Sequence, residues 1–533
     1  MTLPAMSHNT NIPKLVLFVI LAAIGSLSLA PSIPAGQAYY ISPNGNNNYA
    51  GLSSQQPWAT FAHAWTTLQP GDTLYLMDGI YYQTINPTIN GQPGMYITVK
   101  ALNDGKAVID GQGQRETVVL GSPWNSWDAN DLPNPQGNYF DVEGIVALNS
   151  SATVFTVYAR NIILRRDSGY NSNPHNNEGI FEVWSKGTPA VPANVLIEDS
   201  VGAGSGRKIF LAYDTYVNVV FRRNFAAWQW WIGDNFCQGY WPQADGIEIY
   251  PLAYDGQPDA SNNSIVENNI NFGLTPDYGI SLAPNPTGNG KSINGNNYLG
   301  NISIGGGMKW DNVQQEFFPA PYSYLPCNYN GIQKPSTCPS SQCIAFANSN
   351  VYRGGFVLGS SVGTLMKNNL FQDLFAWGNG SVGLTTGASW GAGSTNNRLI
   401  RATLVNNGQG VPAPAAGSDA DAVAIDLSRF DVKSDLRIGN VSEGSPYTGG
   451  GAKLQNQYVN GTLTNVPLWP WLMEDRIKRE FADPNLFQAS GVANQVWSNF
   501  SVTQTICPIL AQYGAVSSCA TTVWQMFLPL IFR

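Results

Sequence analysis

Two kinds of short apolar segment alternate along the middle of the chain. The first begins with asparagine, continues with three mostly apolar and two polar residues, and ends with a small polar residue. It reads NIILRRDS from Asn161, NVLIEDS from Asn194, NVVFRRN from Asn218 and NSIVENN from Asn263, with later echoes GTLMKNN from Gly363 and NNRLIRATLVNN from Asn396. The second reads GIFEVWS from Gly179, RKIFLAYD from Arg207, DGIEIYP from Asp245 and YGISLAPN from Tyr278. Two strand types recurring at steps of roughly two dozen residues predict an all-β solenoid with coils stacked at about 4.8 Å and long loops on one side.

Aligning the first segments on their asparagines predicts a ladder of alternating charge. The fifth positions read Arg165, Glu198, Arg222 and Glu267, and the sixth read Arg166, Asp199, Arg223 and Asn268. In a parallel stack these side chains lie above one another, and each exposed pair is favourable by some tenths of a kcal/mol. The positions that follow, Asp167, Ser200, Asn224 and Asn269, suit a hydrogen-bonded turn ladder. We therefore interpret the double arginine Arg222-Arg223 as structural, with a catalytic arginine pair as the alternative.

The first coil supports the same fold. From Tyr39 the chain predicts a short strand, a Gly/Asn-rich loop, a helix from about Pro57 to Leu68, and a strand over Thr73–Met77. The succession SPNG, PWATFAHAW and PGDTLYLMDGIYY resembles the N-terminal cap and first coil of secreted bacterial right-handed parallel β-helix proteins, the superfamily that includes pectate lyases. The resemblance covers about 45 residues, Tyr39 to Tyr82, and implies a right-handed parallel β-helix with a short N-terminal helical cap. It does not define an activity, because one fold hosts many reactions.

Composition agrees with a β solenoid and excludes one class of partner. The 533 residues include 55 glycines and 12% aromatic residues, which favours short strands and turns over long helices. A net charge of -8 argues against nucleic acid, whose binding requires clustered lysine and arginine. We expect no nucleic-acid partner and a monomer.

The start of the chain has the layout of a signal peptide. Lys14 precedes the apolar run from Leu15 to Ala30, which predicts a leader over residues 1–38 with cleavage after Ala30 or Ala38; an uncleaved anchor is the alternative. The prediction is a secreted or cell-surface bacterial protein with its parallel β-helix over residues 39–466. A C-terminal extension over 467–533 contains a short helix in PLWPWLMEDRIKREF and an apolar tail. That tail either attaches the protein to the cell envelope or covers the end of the solenoid, and the second reading is preferred.

The six cysteines fit disulfides better than a metal site. Cys507 and Cys519 form a local pair, Cys327, Cys338 and Cys343 share one loop, and Cys237 is left to reach that loop. The chain has only three histidines, which disfavours a histidine-rich metal centre and a serine–histidine–aspartate site.

The second strand family carries the candidate chemistry. If Ile247 and Ile249 point inward, alternation turns Glu248 outward, and Glu182, Lys208 and Ser281 likewise. Arg207 stands beside Lys208 after a glycine-rich turn, and the stretch from Trp228 to Asp245 adds acidic and aromatic residues. We assign candidate catalytic roles to Lys208, Arg207 and Glu182, metal-ligand roles to Asp234, Asp245 and Glu248, and sugar stacking to Trp228, Trp230, Trp231 and Trp241.

These groups fit an enzyme that acts on extracellular polysaccharide. Elimination from a uronate requires the substrate carboxylate to be offset, often by Ca²⁺ held by acidic residues, and a lysine or arginine base. A glycoside hydrolase would use two carboxylates, Glu182 with Glu248 or Asp245 with Glu248. A third interpretation is a non-catalytic cell-surface protein that binds glycan or is purely structural. If Arg207, Asp245 and Glu248 converge around an unpaired Lys208, catalysis is favoured. If these residues form ion pairs with one another, the non-catalytic interpretation is favoured.

Overall fold

The fold is described from a computed structural model. The described residues are 36–123, 136–173, 178–185, 191–204, 208–214, 218–227, 245–251, 259–273, 278–282, 292–306, 308–319, 328–329, 332–333, 354–359, 365–380, 382–386, 390–408, 427–439, 447–486 and 496–519. The chain divides into two compact units, Met1–Gly36 and Gln37–Arg533, and all that follows concerns the second. The leader predicted over residues 1–38 lies almost wholly outside the described part.

Three long parallel sheets run the length of the solenoid. Sheet A has twelve strands: β1 (Ala38–Ile41), β2 (Thr73–Leu76), β4 (Ile97–Ala101), β7 (Phe140–Glu143), β10 (Ile162–Arg165), β13 (Val195–Glu198), β16 (Val219–Arg222), β20 (Ile265–Glu267), β24 (Asn297–Leu299), β32 (Leu370–Gln372), β35 (Arg398–Ile400) and β37 (Val432–Ser434). Sheet B has eleven: β3 (Gly79–Tyr81), β5 (Ala107–Asp110), β8 (Val146–Leu148), β11 (Ser168–Tyr170), β14 (Val201–Ala203), β17 (Phe225–Ala227), β21 (Ile270–Phe272), β25 (Ile302–Ile304), β33 (Phe375–Trp377), β36 (Thr403–Val405) and β38 (Arg437–Ile438). Sheet C has eight: β6 (Val118–Leu120), β9 (Phe155–Val157), β12 (Phe181–Val183), β15 (Phe210–Asp214), β18 (Asp245–Pro251), β22 (Tyr278–Leu282), β30 (Gly354–Leu358) and β34 (Leu384–Thr385).

Successive coils visit sheets A, B and C in turn, so the predicted all-β parallel β-helix is confirmed. The remaining strands are minor: β19 (Asp259–Asn262), β23 (Ser292–Asn294) and β31 (Leu365–Lys367) form a small parallel sheet. Three antiparallel pairs complete the set: β26 (Met308–Asp311) with β27 (Glu316–Pro319), β28 (Asn328–Tyr329) with β29 (Ile332–Gln333), and β39 (Asn456–Val459) with β40 (Thr462–Pro467).

The helices lie near the two ends of the sequence. Helix α1 (Phe61–Trp65) is the predicted N-terminal helix, shorter than expected because Thr60 caps it by accepting from the His63 amide. Helix α2 (Glu474–Phe481) is the short helix predicted in the C-terminal extension. Helix α3 (Val502–Gln512), capped by Ser501, was not predicted. In the described ranges no helix is long and apolar enough to cross a membrane.

The recurring asparagines turn the chain into several of the sheet A strands. Asn161, Asn194 and Asn218 all have a φ between 51° and 57°, a left-handed conformation that asparagine tolerates better than most residues. Their amides also bond from coil to coil, with Asn194 Nδ2 donating to Asn161 Oδ1 at 3.2 Å and Asn218 Nδ2 to Asn194 Oδ1 at 3.3 Å. The repeated segment therefore begins with asparagine, which adopts the left-handed conformation and bonds to the next coil.

The turn ladder predicted between sheets A and B is present and buried. The amide N–H of Ser200 donates to Asn224 Oδ1 at 3.0 Å, that of Asn224 to Asn269 Oδ1 at 2.9 Å, and that of Asn269 to Asn301 Oδ1 at 3.1 Å. At the N-terminal end of this series the Ile145 amide donates to Asp167 Oδ1 at 3.0 Å. The ladder satisfies backbone donors that the tight turns remove from the sheets.

The interior between the three sheets is apolar and regularly stacked. Phe155, Phe181 and Phe210 stack with ring centroids 4.4 and 4.7 Å apart, one from each of three successive sheet C strands. Sheet B contributes small residues at its inward positions. A Cβ on Gly169 would lie 2.3 Å from Ile180, so only glycine allows this approach. The coil cross-section is therefore filled by sheet C aromatics against small sheet B residues.

A second apolar cluster lies on the outer face of sheet B. There Val201, Phe225 and Phe272 pack with Phe481 and Phe500 from the C-terminal segment. The sequence favours an apolar tail that covers the end of the solenoid. Residues beyond 519 lie outside the described part, and the segment that precedes them covers the side of sheet B. The predicted Cys507–Cys519 disulfide is confirmed within this segment, whereas Cys237, Cys327, Cys338 and Cys343 fall outside the described ranges.

The charge ladder has the predicted register. Arg165, Glu198, Arg222 and Glu267 are partners on adjacent strands. Its environment differs from the expectation of an exposed row, because the β39–β40 hairpin covers it: the amides of Asn460 and Gly461 donate to the two Glu267 oxygens at 3.0 and 2.9 Å. Arg222 and Glu267 are buried.

Candidate functional site

The outer face of sheet C brings three of the candidate residues together. Glu182 lies in β12 and Glu248 in β18, and both pair with Leu211 of β15 in register. The two glutamates therefore share one face, two strands apart. Lys208 comes just before β15, and its ammonium donates to Glu248 Oε2. Alternation thus placed Glu182 and Glu248 on the correct face.

All three of these side chains are buried. Glu182, Lys208 and Glu248 are 2%, 1% and 1% exposed. A buried ion pair requires good geometry to offset its desolvation, and the loss of one partner leaves a costly unpaired charge. The Lys208 ammonium is paired with Glu248. From the sequence, we associated such pairing with a binding or structural role.

Glu182 is held from several directions. Its Oε2 accepts from the Trp184 indole at 2.9 Å, and a Cβ on Gly179 would lie 2.7 Å from its Oε1. Gly179 therefore leaves the space that the carboxyl occupies. Burial, together with the negative charge of Glu178, raises the pKa of Glu182 to about 7. A carboxyl with this pKa exchanges its proton near neutral pH.

Residues that the sequence analysis did not single out surround this carboxyl. The Thr153 hydroxyl donates to Glu178 Oε2 at 2.8 Å, and Glu178 itself is half-buried. The rings of Trp184 and Tyr213 stack with their centroids 3.7 Å apart. The signal for Glu178 was weak, since it precedes a strand and follows no repeated pattern.

Two buried hydroxyls on the same face have no hydrogen-bond partner among the described residues. Thr156 pairs with Glu182 in register and Ser281 pairs with Glu248, so one hydroxyl flanks each carboxylate. Such a hydroxyl can donate to and accept from a water or ligand oxygen. The face therefore has hydrogen-bonding capacity that the described residues do not use.

The other predicted site residues fall outside the described side chains. Arg207, Trp228, Trp230, Trp231, Asp234 and Trp241 lie outside the described residues, and of Asp245 only the backbone, in β18, is described. Within the described residues no three metal-binding side chains converge, and Glu248 is engaged by Lys208. The described part of the site alone therefore does not fit a calcium ion.

The three parallel sheets form a parallel β-helix, the fold that the resemblance of the first coil to pectate-lyase-like proteins implied. No protein-family model matches the sequence. Pectate lyase L of Dickeya dadantii (strain 3937) is 24% identical over 312 residues, covering 56% of this chain and 65% of that protein. The uncharacterized protein YwoF of Bacillus subtilis (strain 168) is 31% identical over 94 residues, covering 18% of this chain and 20% of that protein. The chain thus spans less than two thirds of either relative.

Two lyases are among the solved structures that match the chain, both at low similarity. Pectate lyase Pel9A has a TM-score of 0.39 and 15% identity, over 82% of this chain and 89% of that one. A rhamnogalacturonan lyase has a TM-score of 0.38 and 11% identity, over 90% of this chain and 99% of that one.

Proposed function

We propose that this chain is a polysaccharide lyase that acts on an acidic extracellular polysaccharide. The observation that carries the proposal is Glu182, a buried carboxyl on the outer face of sheet C whose pKa is raised to about 7 by burial and by the charge of Glu178. The similarity to pectate lyase L over 312 residues supports the choice of reaction. Elimination from a uronate removes the C5 proton, breaks the C4–O bond, forms the C4–C5 double bond and leaves the departing oxygen to be protonated.

Glu182 is the proton donor for the departing oxygen in this proposal. Its pKa of about 7 leaves a substantial fraction protonated at neutral pH, so it has a proton to give. Arg207 or Lys208 is the base. Lysine accepts a proton only as the neutral amine, whereas the Lys208 ammonium donates to Glu248. Lys208 can therefore act only when that ion pair opens, and Arg207 is the other candidate.

The calcium ligands and the sugar-stacking surface remain part of the proposal. Asp234 and Asp245 would have to supply the carboxylates, because Glu248 is already paired. Calcium would offset the charge of the substrate carboxylate. Trp228, Trp230, Trp231 and Trp241 remain the proposed stacking residues.

The ion pair also favours a second candidate, a protein that binds glycan without cleaving it. A buried Lys208–Glu248 pair is what the sequence analysis associated with that role.

A glycoside hydrolase is the third candidate. Glu182 and Glu248 lie on strands separated by about 9.6 Å, which is two strand spacings. Inverting hydrolases place their carboxyl groups roughly 6.5–9.5 Å apart.

Export belongs to the same proposal. The Cys507–Cys519 disulfide supports an oxidising compartment, as do the basic residue and apolar run of residues 1–38. We propose a secreted or cell-surface monomer. For the apolar tail, residues 521–533, attachment to the cell envelope is the alternative to covering the end of the solenoid.

A substrate screen with matched variants tests the reaction. The purified protein is offered acidic and neutral polysaccharides with calcium or with chelator, while unsaturated-uronate absorbance and reducing ends are followed. The informative variant is Lys208→Met with Glu248→Gln, and the control is Arg222→Met with Glu267→Gln, a buried ion pair on sheet A. Absorbance that only the first variant abolishes supports the lyase. Reducing ends without absorbance indicate a hydrolase, and binding without either product indicates the non-catalytic candidate.

A further inference from the structure

The outer strand of the C-terminal hairpin presents an uncovered edge. Among the described residues, β40 pairs with β39 alone, and every residue of β40 is at least partly exposed to solvent. The strand carries two large aliphatic side chains, Leu463 and Val466, which are 45% and 53% exposed. Such an edge offers both backbone hydrogen bonds and apolar contacts to another strand, and folded proteins usually cover it.

The inner strand of the hairpin holds it on the solenoid. Gln457 accepts from the Arg223 guanidinium at 3.1 Å, and the Tyr458 amide donates to Asn268 Oδ1 at 2.9 Å. Both of these residues belong to β39, and the turn that follows binds Glu267. The hairpin is therefore fixed through β39 and its turn, while β40 is left on the solvent side.

The last described residues lie beside the C-terminal end of β40. The amides of Ser517 and Ser518 donate to Gln455 Oε1 at 2.9 and 3.4 Å. The Gln455 carbonyl accepts the amide of Leu468, the residue that directly follows β40, at 2.9 Å. The apolar tail, residues 521–533, therefore begins within a few residues of that end of the strand.

The tail has the composition and length that the edge of β40 requires. It reads TTVWQMFLPLIFR, with one charged residue and with β-branched and aromatic residues before Pro529. Proline is tolerated only at the end or edge of a strand, so residues 521–528 are the part available for continuous pairing. These residues extend over roughly 26 Å, against about 20 Å for β40. The tail can thus reach along the whole strand.

We propose that residues 521–528 add to β40 as the third strand of the hairpin sheet. The added strand is antiparallel to β40, because it starts at the C-terminal end of β40 and runs back along it. Its apolar side chains cover Leu463 and Val466. A third strand also stabilises the hairpin, since two strands alone are only marginally stable. The tail then binds neither the end of the solenoid nor the cell envelope, and this docking requires no enzymatic activity.

Limited proteolysis of the whole protein tests the docking. Chymotrypsin cleaves after Trp524 and Phe527 when the tail is accessible, and docking protects both bonds. Leu463→Lys with Val466→Lys places two charges on the edge of β40 and should speed this cleavage about tenfold or more. The matched control is Val432→Lys, at an aliphatic residue 42% exposed in the last strand of sheet A, the solenoid end.

Faster cleavage in the double variant alone supports docking on β40. Faster cleavage in Val432→Lys means that the tail covers the end of the solenoid, and unchanged cleavage in both variants means that it is held elsewhere. Rapid cleavage of the wild-type protein means that the tail is undocked. Protection that is lost on dilution means that a second copy provides the strand, and protection only with vesicles of anionic phospholipid means membrane attachment. Each of these results overturns the proposal.

Amide hydrogen exchange provides a second test that leaves β40 itself unaltered. Val523→Lys with Phe527→Lys charges one side of the tail in the full chain. The amides of β40 should then exchange about tenfold faster or more, while those of β24 inside sheet A stay unchanged. Unchanged exchange in β40 contradicts the docking.

Discussion

Arg222 donates from Nε to Glu267 Oε1 at 2.6 Å, and the pair joins two successive coils of sheet A beneath the β39–β40 hairpin. Arg222 also donates from Nη1 to Glu198 at 3.2 Å, so one guanidinium bridges three strands. Removing it leaves the buried Glu267 carboxylate without its cation, whereas Glu198 keeps Arg223 at 3.3 Å. We predict that Arg222→Ala lowers the free energy of unfolding by about 3–5 kcal/mol and leaves any activity intact. Denaturant unfolding measures the first and the substrate assay the second.

The double variant Arg222→Met with Glu267→Gln controls for packing. It removes both charges, so it should cost less than Arg222→Ala alone. A loss of activity with normal stability in Arg222→Ala would contradict the structural role and restore the catalytic alternative for the arginine pair.

Asp167 occupies a ladder position that asparagine fills in later coils. Its Oδ1 accepts the Ile145 amide, and its buried Oδ2 has no hydrogen-bond partner among the described residues. Burial raises the pKa of Asp167 well above its usual range. An acid with a raised folded-state pKa stabilises fully below its unfolded pKa, and that stability is lost as pH rises through the folded value. Asp167→Asn should therefore raise the free energy of unfolding at pH 7 and flatten its dependence on pH.

The neighbouring Asp199 is the matched control for this substitution. It forms an ion pair with Arg223 at 2.7 Å, so Asp199→Asn should lower stability at pH 7. Equal effects of the two substitutions would contradict the account of Asp167.

Glu182 should give the folded protein a pH dependence of its own. Burial and the charge of Glu178 raise its pKa from 4.5 to about 7. Its contribution to stability is therefore complete below pH about 4.5 and declines as pH rises towards 7. Glu182→Gln should remove this decline between pH 5 and 7, as measured by urea unfolding across that range. Glu143→Gln, at a partly exposed carboxyl paired with Lys100, should leave the decline unchanged.

The Cys507–Cys519 disulfide closes a loop with a sequence separation of 12 at the end of the C-terminal segment. Replacing both cysteines with alanine should destabilise that segment by roughly 2–3 kcal/mol. Because the segment covers the apolar outer face of sheet B, we expect increased binding of a hydrophobic dye at a temperature where the wild-type protein binds none. An unchanged dye signal together with an unchanged melting temperature would show that the segment is held without the disulfide.

The register of the repeated strands was predictable from the sequence, whereas contacts between distant, unrepeated segments were not. The register of Arg165, Glu198, Arg222 and Glu267 followed from the repeat alone, because residues one coil apart must stack in a parallel solenoid. The β39–β40 hairpin over Glu267 was not predictable, since Asn460, which donates to Glu267, is 193 residues away in the sequence. The same limit applied to the site: alternation placed Glu248 on the outer face of sheet C, but the partner of Lys208 depends on side-chain reach.

The cover of sheet B also sets an order of events during synthesis. Arg476, in α2, donates to Asp104 at 3.0 Å across 372 residues, and to the Ile145 carbonyl at 2.6 Å. The coils made first thus acquire their partner only after nearly the whole chain has left the ribosome. Until then the outward-facing Val146 and Leu148 lack the segment that packs on them, so the early coils complete their packing last.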